Sequence, residues 1–170
     1  ILDRLWPELE PESALNSFRK ALHYARHALE PELPRRGRSS YLRLTDDTVA
    51  LVSEHVWVDV DHFEKLARDA LARGDQAASE AALVAYTGEL LPEDRYADWC
   101  VTRREALEQL HLQVRLSLAD VLERRGAYGV AAEHLQQMLV HDPSREEVQR
   151  RLMRLYALAG SRHRALRQYQ

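Results

Sequence analysis

The sequence predicts a mainly α-helical chain in two parts: a helix followed by a short β-hairpin, then an all-helical array of antiparallel pairs. Three observations carry this. Apolar residues recur at helical spacing between 14 and 29, two short strand-like runs flank Asp46-Asp47, and a set of five positions recurs 34 residues later near the C-terminus. The 170 residues, 45% apolar and 30% charged, are enough for one large domain or two small ones with a packed core. Cys100 is the single cysteine, which excludes a disulfide framework and a cysteine-based zinc site. No apolar run approaches the ~20 residues a membrane helix needs, and no basic-then-apolar segment opens the chain. A cytoplasmic setting without membrane contact is expected. Ile1 in place of Met, and a helical pattern running into Gln170, are expected of a piece of a longer protein.

Charge is distributed unevenly. Between Ser13 and Arg43, Arg19, Lys20, Arg26, Arg35, Arg36, Arg38 and Arg43 stand against Glu30 and Glu32, a net +5. The whole chain carries −3, so the remainder carries −8. A basic segment on an acidic body suggests one part that meets a polyanion and one that does not.

After an amphipathic stretch at Ile1–Trp6, the first long helix is expected to start with Ser13 as N-cap. Its apolar face is Ala14, Leu15, Phe18, Ala21, Leu22, Ala25, Ala28 and Leu29, and Pro31 with Pro34 limits extension beyond Glu30. The opposite face presents Asn16, Arg19, Lys20, His23, Arg26 and His27, donors suited to phosphate oxygens and base edges. A basic loop, Pro34-Arg35-Arg36-Gly37-Arg38, leads to strands at Tyr41–Leu44 and Thr48–Val52 around a turn at Asp46-Asp47. This order is that of the latter part of a winged helix-turn-helix, in which a helix enters the major groove and the hairpin wing lies by the backbone. Asn16, Arg19, Lys20, His23, Arg26, His27, Arg38 and Arg43 are the candidate DNA contacts. His23 and His27 also have the i, i+4 spacing of a zinc-binding helix, but no third ligand is suggested nearby and no metal is expected.

From Val56 the residues alternate to Asp61, and a helix is expected over Phe63–Arg73. Asp59, Asp61 and Glu64 are close enough to suggest a cation, yet acidity at a helix start, with Asp61 as cap, explains them better. A long helix is expected over Arg103–Glu123. Leu118, Leu122, Gly126, Ala131 and Leu135 recur as Leu152, Tyr156, Gly160, Ala165 and Tyr169, which is the tetratricopeptide period. Ala119 and Ala131 let two helices approach, Gly126 makes the turn, and Pro143 separates one unit from the next. A degenerate earlier unit uses Leu66, Ala67, Gly74 and Leu83. About three helix pairs result, with the first helix of each pair on the concave surface. Counting from Leu112 and Glu146 as first positions puts Gln113, Asp120, Glu123 and Arg124, and Glu147, Arg150 and Arg154, in that groove, which suits a polar or charged partner. Trp57, Trp99, Tyr86, Tyr156 and Tyr169 are assigned to the core, as is Cys100.

Two sets of motifs resemble one known family. Leu5-Trp6-Pro7, Ser13–Arg19 and Ala25–Leu29 are similar to the winged-helix segment of SARP-type bacterial regulators, with an OmpR-type wing following. Val58–Phe63, Gly88–Asp94, Trp99, Arg103-Arg104-Glu105, His141-Asp142-Pro143 and Leu152-Met153 resemble the bacterial transcriptional activator domain that follows it. The resemblance implies that residues 1–57 are the C-terminal part of a winged-helix DNA-binding domain, with Ser13–Leu29 as recognition helix. It implies that residues 58–170 are a tetratricopeptide-like activator domain, truncated at its C-terminus. The implied function is transcriptional activation: binding of double-stranded promoter DNA, with the helical domain dimerising or contacting RNA polymerase subunits. In the Ser-Arg-Leu-Arg-Arg stretch of the family this chain has His23-Tyr24-Ala25-Arg26-His27. That substitution motivates the alternative, an interaction or sensor module of a larger regulator with little DNA affinity of its own. No phosphate-binding glycine loop or nucleophile elbow is present, and neither catalysis nor a cofactor is expected.

Overall fold

The computed structural model describes residues 1–34, 37–45, 48–52 and 54–169, with His141 and Tyr169 described by backbone alone. The expected turn at Asp46-Asp47, Arg35 and Arg36 of the basic loop, and the Tyr169 side chain lie outside the described residues. The chain is mainly helical, with one two-stranded hairpin preceding a helical array, as expected. It divides into two compact units, Ile1–Val58 and Asp59–Gln170.

The first unit holds α1 (Leu2–Leu5), α2 (Pro11–Leu29), β1 (Leu42–Thr45) and β2 (Thr48–Leu51). Helix α2 begins two residues before the expected Ser13 cap. Pro11 occupies its first position, where a missing N–H costs nothing, and the Ala14 N–H donates to the Glu10 carbonyl at 2.9 Å. At the other end the Glu30 carboxylate accepts from the Ser39 hydroxyl and from the Ser40 N–H at 3.1 Å, which holds its pKa below the usual 4.5. Ser39 Oγ in turn accepts from the Tyr41 and Leu42 N–H groups, so the end of α2 is tied to the start of the hairpin. The strands are antiparallel, with Leu42 opposite Leu51 and Thr45 opposite Thr48. Of the eight apolar residues expected on one face of α2, only Ala14 and Leu22 are buried. Leu15 and Phe18 are half-buried, and Ala21, Ala25, Ala28 and Leu29 are exposed, because the unit offers little besides a four-residue helix and a hairpin as cover.

The second unit is built from α3 (Asp59–Arg73), α4 (Gln76–Ala85), a 3₁₀ turn at Pro92–Asp94, α5 (Asp98–Arg124), α6 (Tyr128–His141), α7 (Glu146–Leu158) and α8 (Arg162–Tyr169). Consecutive helices pack as three pairs, α3 with α4, α5 with α6 and α7 with α8. Helix α3 starts at Asp59, within the stretch expected to be extended. Val60, Phe63, Ala67 and Ala70 stand three and four apart and pack into one cluster, so burial overrides the short alternation. Helix α5 starts at Asp98 rather than Arg103 and, at 27 residues, reaches across two packing layers. Its Leu107 and Val114 join the cluster around Phe63, while Leu112, Leu118, Ala119 and Leu122 join a second cluster with Leu135, Met138, Leu152 and Leu155.

The two turns that stand 34 residues apart make the same bonds. At the end of α5 the Gly126 N–H donates to the Glu123 carbonyl and the Ala127 N–H to the Leu122 carbonyl. At the end of α7 the Gly160 N–H donates to Ala157 and the Ser161 N–H to Tyr156. Both are Schellman turns, and both glycines sit in the left-handed region, at φ 76° and 74°. Ala119 and Ala131 are wholly buried where α5 meets α6. In the earlier unit Ser79 is equally buried, and its hydroxyl is satisfied by the Asp75 carbonyl at 2.9 Å.

Cys100 and Tyr156 are buried, and Tyr86 packs against Phe63, as expected of core residues. Trp57 and Trp99 are not core residues: they are 73% and 44% exposed. Trp57 lies outside any helix, and on the first turn of α5 the inward position is taken by Cys100. Among the described residues, no helix is long and apolar enough to cross a membrane.

Candidate functional site

In the first unit, helical geometry brings Asn16, Arg19, Lys20 and His23 onto exposed positions of α2. Arg38 and Arg43 are exposed after the helix and on β1. Among the described residues none of Arg19, Lys20, Arg38 and Arg43 forms an ion pair, so these cations are available to an outside anion. Arg26 and His27 are placed differently. Both are half-buried, and the Arg26 Nε is buried without a hydrogen-bond partner among the described residues. His23 meets the His27 ring edge-on at 4.5 Å and Tyr24 at 5.8 Å, forming a small aromatic ridge on the polar side of α2.

In the second unit the charged positions of α5 and α7 meet. Asp120, Glu123, Arg124 and Arg154 line one open groove together with Tyr128, Arg151 and Leu158. Gln113, Glu147 and Arg150 are exposed but lie outside it. Leu118, Leu122, Leu152 and Tyr156, directly behind these positions, are buried. The groove is organised by Arg151, which the repeat count does not single out. Its guanidinium is ion-paired to Asp120 and, at 3.0 Å, to Glu123, and Glu123 is shared with Arg154. These pairs join the first helices of successive units. Arg151 follows Glu147 by four residues and precedes Leu158 by seven, so the stripe it belongs to was present in the sequence; Arg150 is one position off that stripe. Arg124 carries no ion pair among the described residues, and the groove keeps a net positive charge.

A second polar construction fixes the loop between α4 and α5. Arg104 donates to the carbonyls of Leu90 at 3.0 Å and Arg95 at 2.9 Å, and pairs with Glu89 at 3.0 Å. Leu91, the residue before the 3₁₀ turn, is held at φ 47°, a left-handed conformation that costs a β-carbon residue ~1–2 kcal/mol. Arg104 satisfies the carbonyls around it. Across α3 and α5, Glu64 accepts from Arg68 at 2.9 Å and from Arg103, which accounts for the carboxylate that the sequence placed near Asp59 and Asp61.

The model of the bacterial transcriptional activator domain family matches residues 58–170, which are all of the helical array. A search of the curated proteins finds none that matches the chain. The match spans well over half of the chain and coincides with the three helix pairs, and the chain therefore belongs to the bacterial transcriptional activator domain family.

Proposed function

We propose that this chain is part of a DNA-binding transcriptional activator of the SARP type, acting in the cytoplasm and without catalytic activity or a cofactor. Helix α2 serves as the recognition helix of a winged helix-turn-helix and the β1–β2 hairpin as its wing, on double-stranded promoter DNA. The helical array, tetratricopeptide-like in its 34-residue period, dimerises or contacts RNA polymerase. The observation that carries the reading is the set of exposed cations Arg19, Lys20, Arg38 and Arg43, which form no ion pair among the described residues, in a unit joined to an activator domain. Each cation on a phosphate releases condensed counterions, so affinity falls with salt in proportion to their number.

The half-burial of Arg26 and His27 favours a second reading, a partner-docking or sensor module with little DNA affinity. One experiment separates the two. A duplex is selected from a random pool by the intact protein, and binding is measured across salt concentrations for wild type and for Arg19→Gln/Lys20→Gln. The first reading expects weaker binding and a salt slope reduced by about 2, about one per lost phosphate contact. An unchanged slope removes α2 as the DNA-contacting face, and failure to select any duplex favours the second reading.

A further inference from the structure

Helix α5 carries a second polar stripe, distinct from the groove it shares with α7. Arg104, Glu108, His111 and Arg115 follow one another at i, i+4, i+7 and i+11, which places them on one face of the helix. That face and the loop after α4 enclose a pocket of about 530 Å³, within the range of small-molecule sites. Tyr86 forms part of its wall and stacks on His111, with ring centroids 4.0 Å apart and planes at 14°.

The charges in this pocket are not equally spent. Arg104 and Glu89 are committed to each other and to the loop carbonyls. Arg115 bonds no carboxylate among the described residues: its Nε donates to His111 Nε2 at 3.1 Å, and a terminal nitrogen donates to the Gln137 side-chain carbonyl. Among the described residues no carboxylate lies within ion-pair distance of this half-buried guanidinium. Burial lowers the Arg115 pKa, the mark of a cation short of compensation. Glu108 lines the same pocket, is exposed, and likewise forms no ion pair among the described residues. An uncompensated cation and an uncompensated anion thus stand seven residues apart, about 10 Å along the axis, on either side of the Tyr86–His111 stack.

We infer that this pocket binds a small zwitterion of amino-acid to dipeptide size, its carboxylate on Arg115 and its ammonium group on Glu108. With its Nε and one terminal nitrogen engaged, Arg115 keeps the N–H groups of its second terminal nitrogen for a charge-assisted bond to a carboxylate, and the ligand's two charges meet the two that form no ion pair among the described residues. Arg95 and Arg104 in the same walls are both tied to Glu89, so a doubly charged anion such as a phosphate monoester would find one guanidinium outside an ion pair, Arg115, with the Glu108 carboxylate facing the same space, and the zwitterion is the better match. The inference stands apart from the DNA-binding reading and gives the array a ligand of its own.

The test uses the full chain and three probes: L-alanyl-L-alanine, its N-acetyl derivative and its C-terminal amide. Binding is followed by the backbone amide resonances of Thr87, Gly88 and His111, up to about 10 mM probe, above the Kd scale of weak effectors. The free dipeptide is expected to shift these resonances saturably, with each blocked derivative at least tenfold weaker. Arg115→Gln should weaken the dipeptide at least tenfold. Glu108→Gln, at an exposed position that leaves the fold intact, should weaken the dipeptide but not the acetylated probe. No shift with any probe, equal binding of all three, or full dipeptide affinity in Glu108→Gln would overturn the inference. Should Arg115→Gln fail to fold, Glu108→Gln and the blocked probes decide the matter.

Discussion

Gly126 and Gly160 offer a matched pair of perturbations, because the same turn is built twice. A β-carbon placed on either glycine meets no heavy atom within 4 Å, so replacement by alanine adds no clash. The cost is confined to the backbone, which stands at φ 76° and 74°. Alanine in the left-handed region costs ~1–2 kcal/mol. Its smaller unfolded-state freedom returns ~0.4–1 kcal/mol, which leaves a net loss of about 1 kcal/mol at each site. For a unit of this size that is a fall in Tm of roughly 3–6 °C. Helical circular dichroism during urea and thermal unfolding reads both quantities. Gly126→Ala and Gly160→Ala should agree to about 0.5 kcal/mol, and asparagine at either site should cost less than alanine. A loss above ~3 kcal/mol at one site would mean that a β-carbon there meets packed neighbours. A gain in stability at both would mean that the turns are not left-handed, and the equivalence of the two units would fall with it.

The buried leucines of the repeat provide a second matched pair: Leu118→Ala and Leu152→Ala, both wholly buried, should each cost ~2.5–5 kcal/mol in urea unfolding. Arg151→Ala should cost ~0.5–1.5 kcal/mol, because its pairs with Asp120 and Glu123 are part-buried, and a double-mutant cycle with Glu123→Gln should recover most of that as coupling. High salt should shrink the loss. The fold should also weaken in mild acid through His134, whose Nδ1 is buried without a partner among the described residues. Burial first, and Arg115 second, lower its pKa from the usual 6.5, so the unfolded state binds the proton more readily. Stability from this group is therefore complete above pH 6.5 and declines as pH falls below it. His134→Gln should flatten the stability profile between that pH and the lowered folded value, as measured by Tm across buffers.

Much of the array was legible from residue types alone. The period of 34 shows because a turn that needs a left-handed residue admits glycine, and a close helix contact admits alanine, so Gly126, Gly160 and Ala131 repeat with little drift. The start of α5 was not legible. Asp98 to Arg104 shows no apolar period, since the segment is anchored by Arg104 reaching back to the carbonyls of residues 90 and 95. The start of α3 was obscured by a short alternation that looks extended until Val60 and Phe63 are seen packing with Ala67 and Ala70. Trp57 and Trp99 stand exposed against expectation because aromatic size favours burial only where the fold supplies an inward position. Of the candidate sites, the exposed cations of α2 follow from helical geometry. Arg151 was missed because ion pairs between successive units depend on how their first helices are offset, which no single repeat records.

On the proposed reading labour is divided: the α2–hairpin unit holds DNA and the charged groove of the array acts on transcription. The most direct measurement is transcription by purified RNA polymerase from a template bearing the selected site, with occupancy footprinted in the same tube. Arg19→Gln/Lys20→Gln should lose occupancy and transcript together. Arg124→Glu/Arg154→Glu, which reverses two exposed groove cations, should keep occupancy and lose transcript. Full transcript from the groove variant, or undiminished occupancy in the α2 variant, would refute that division.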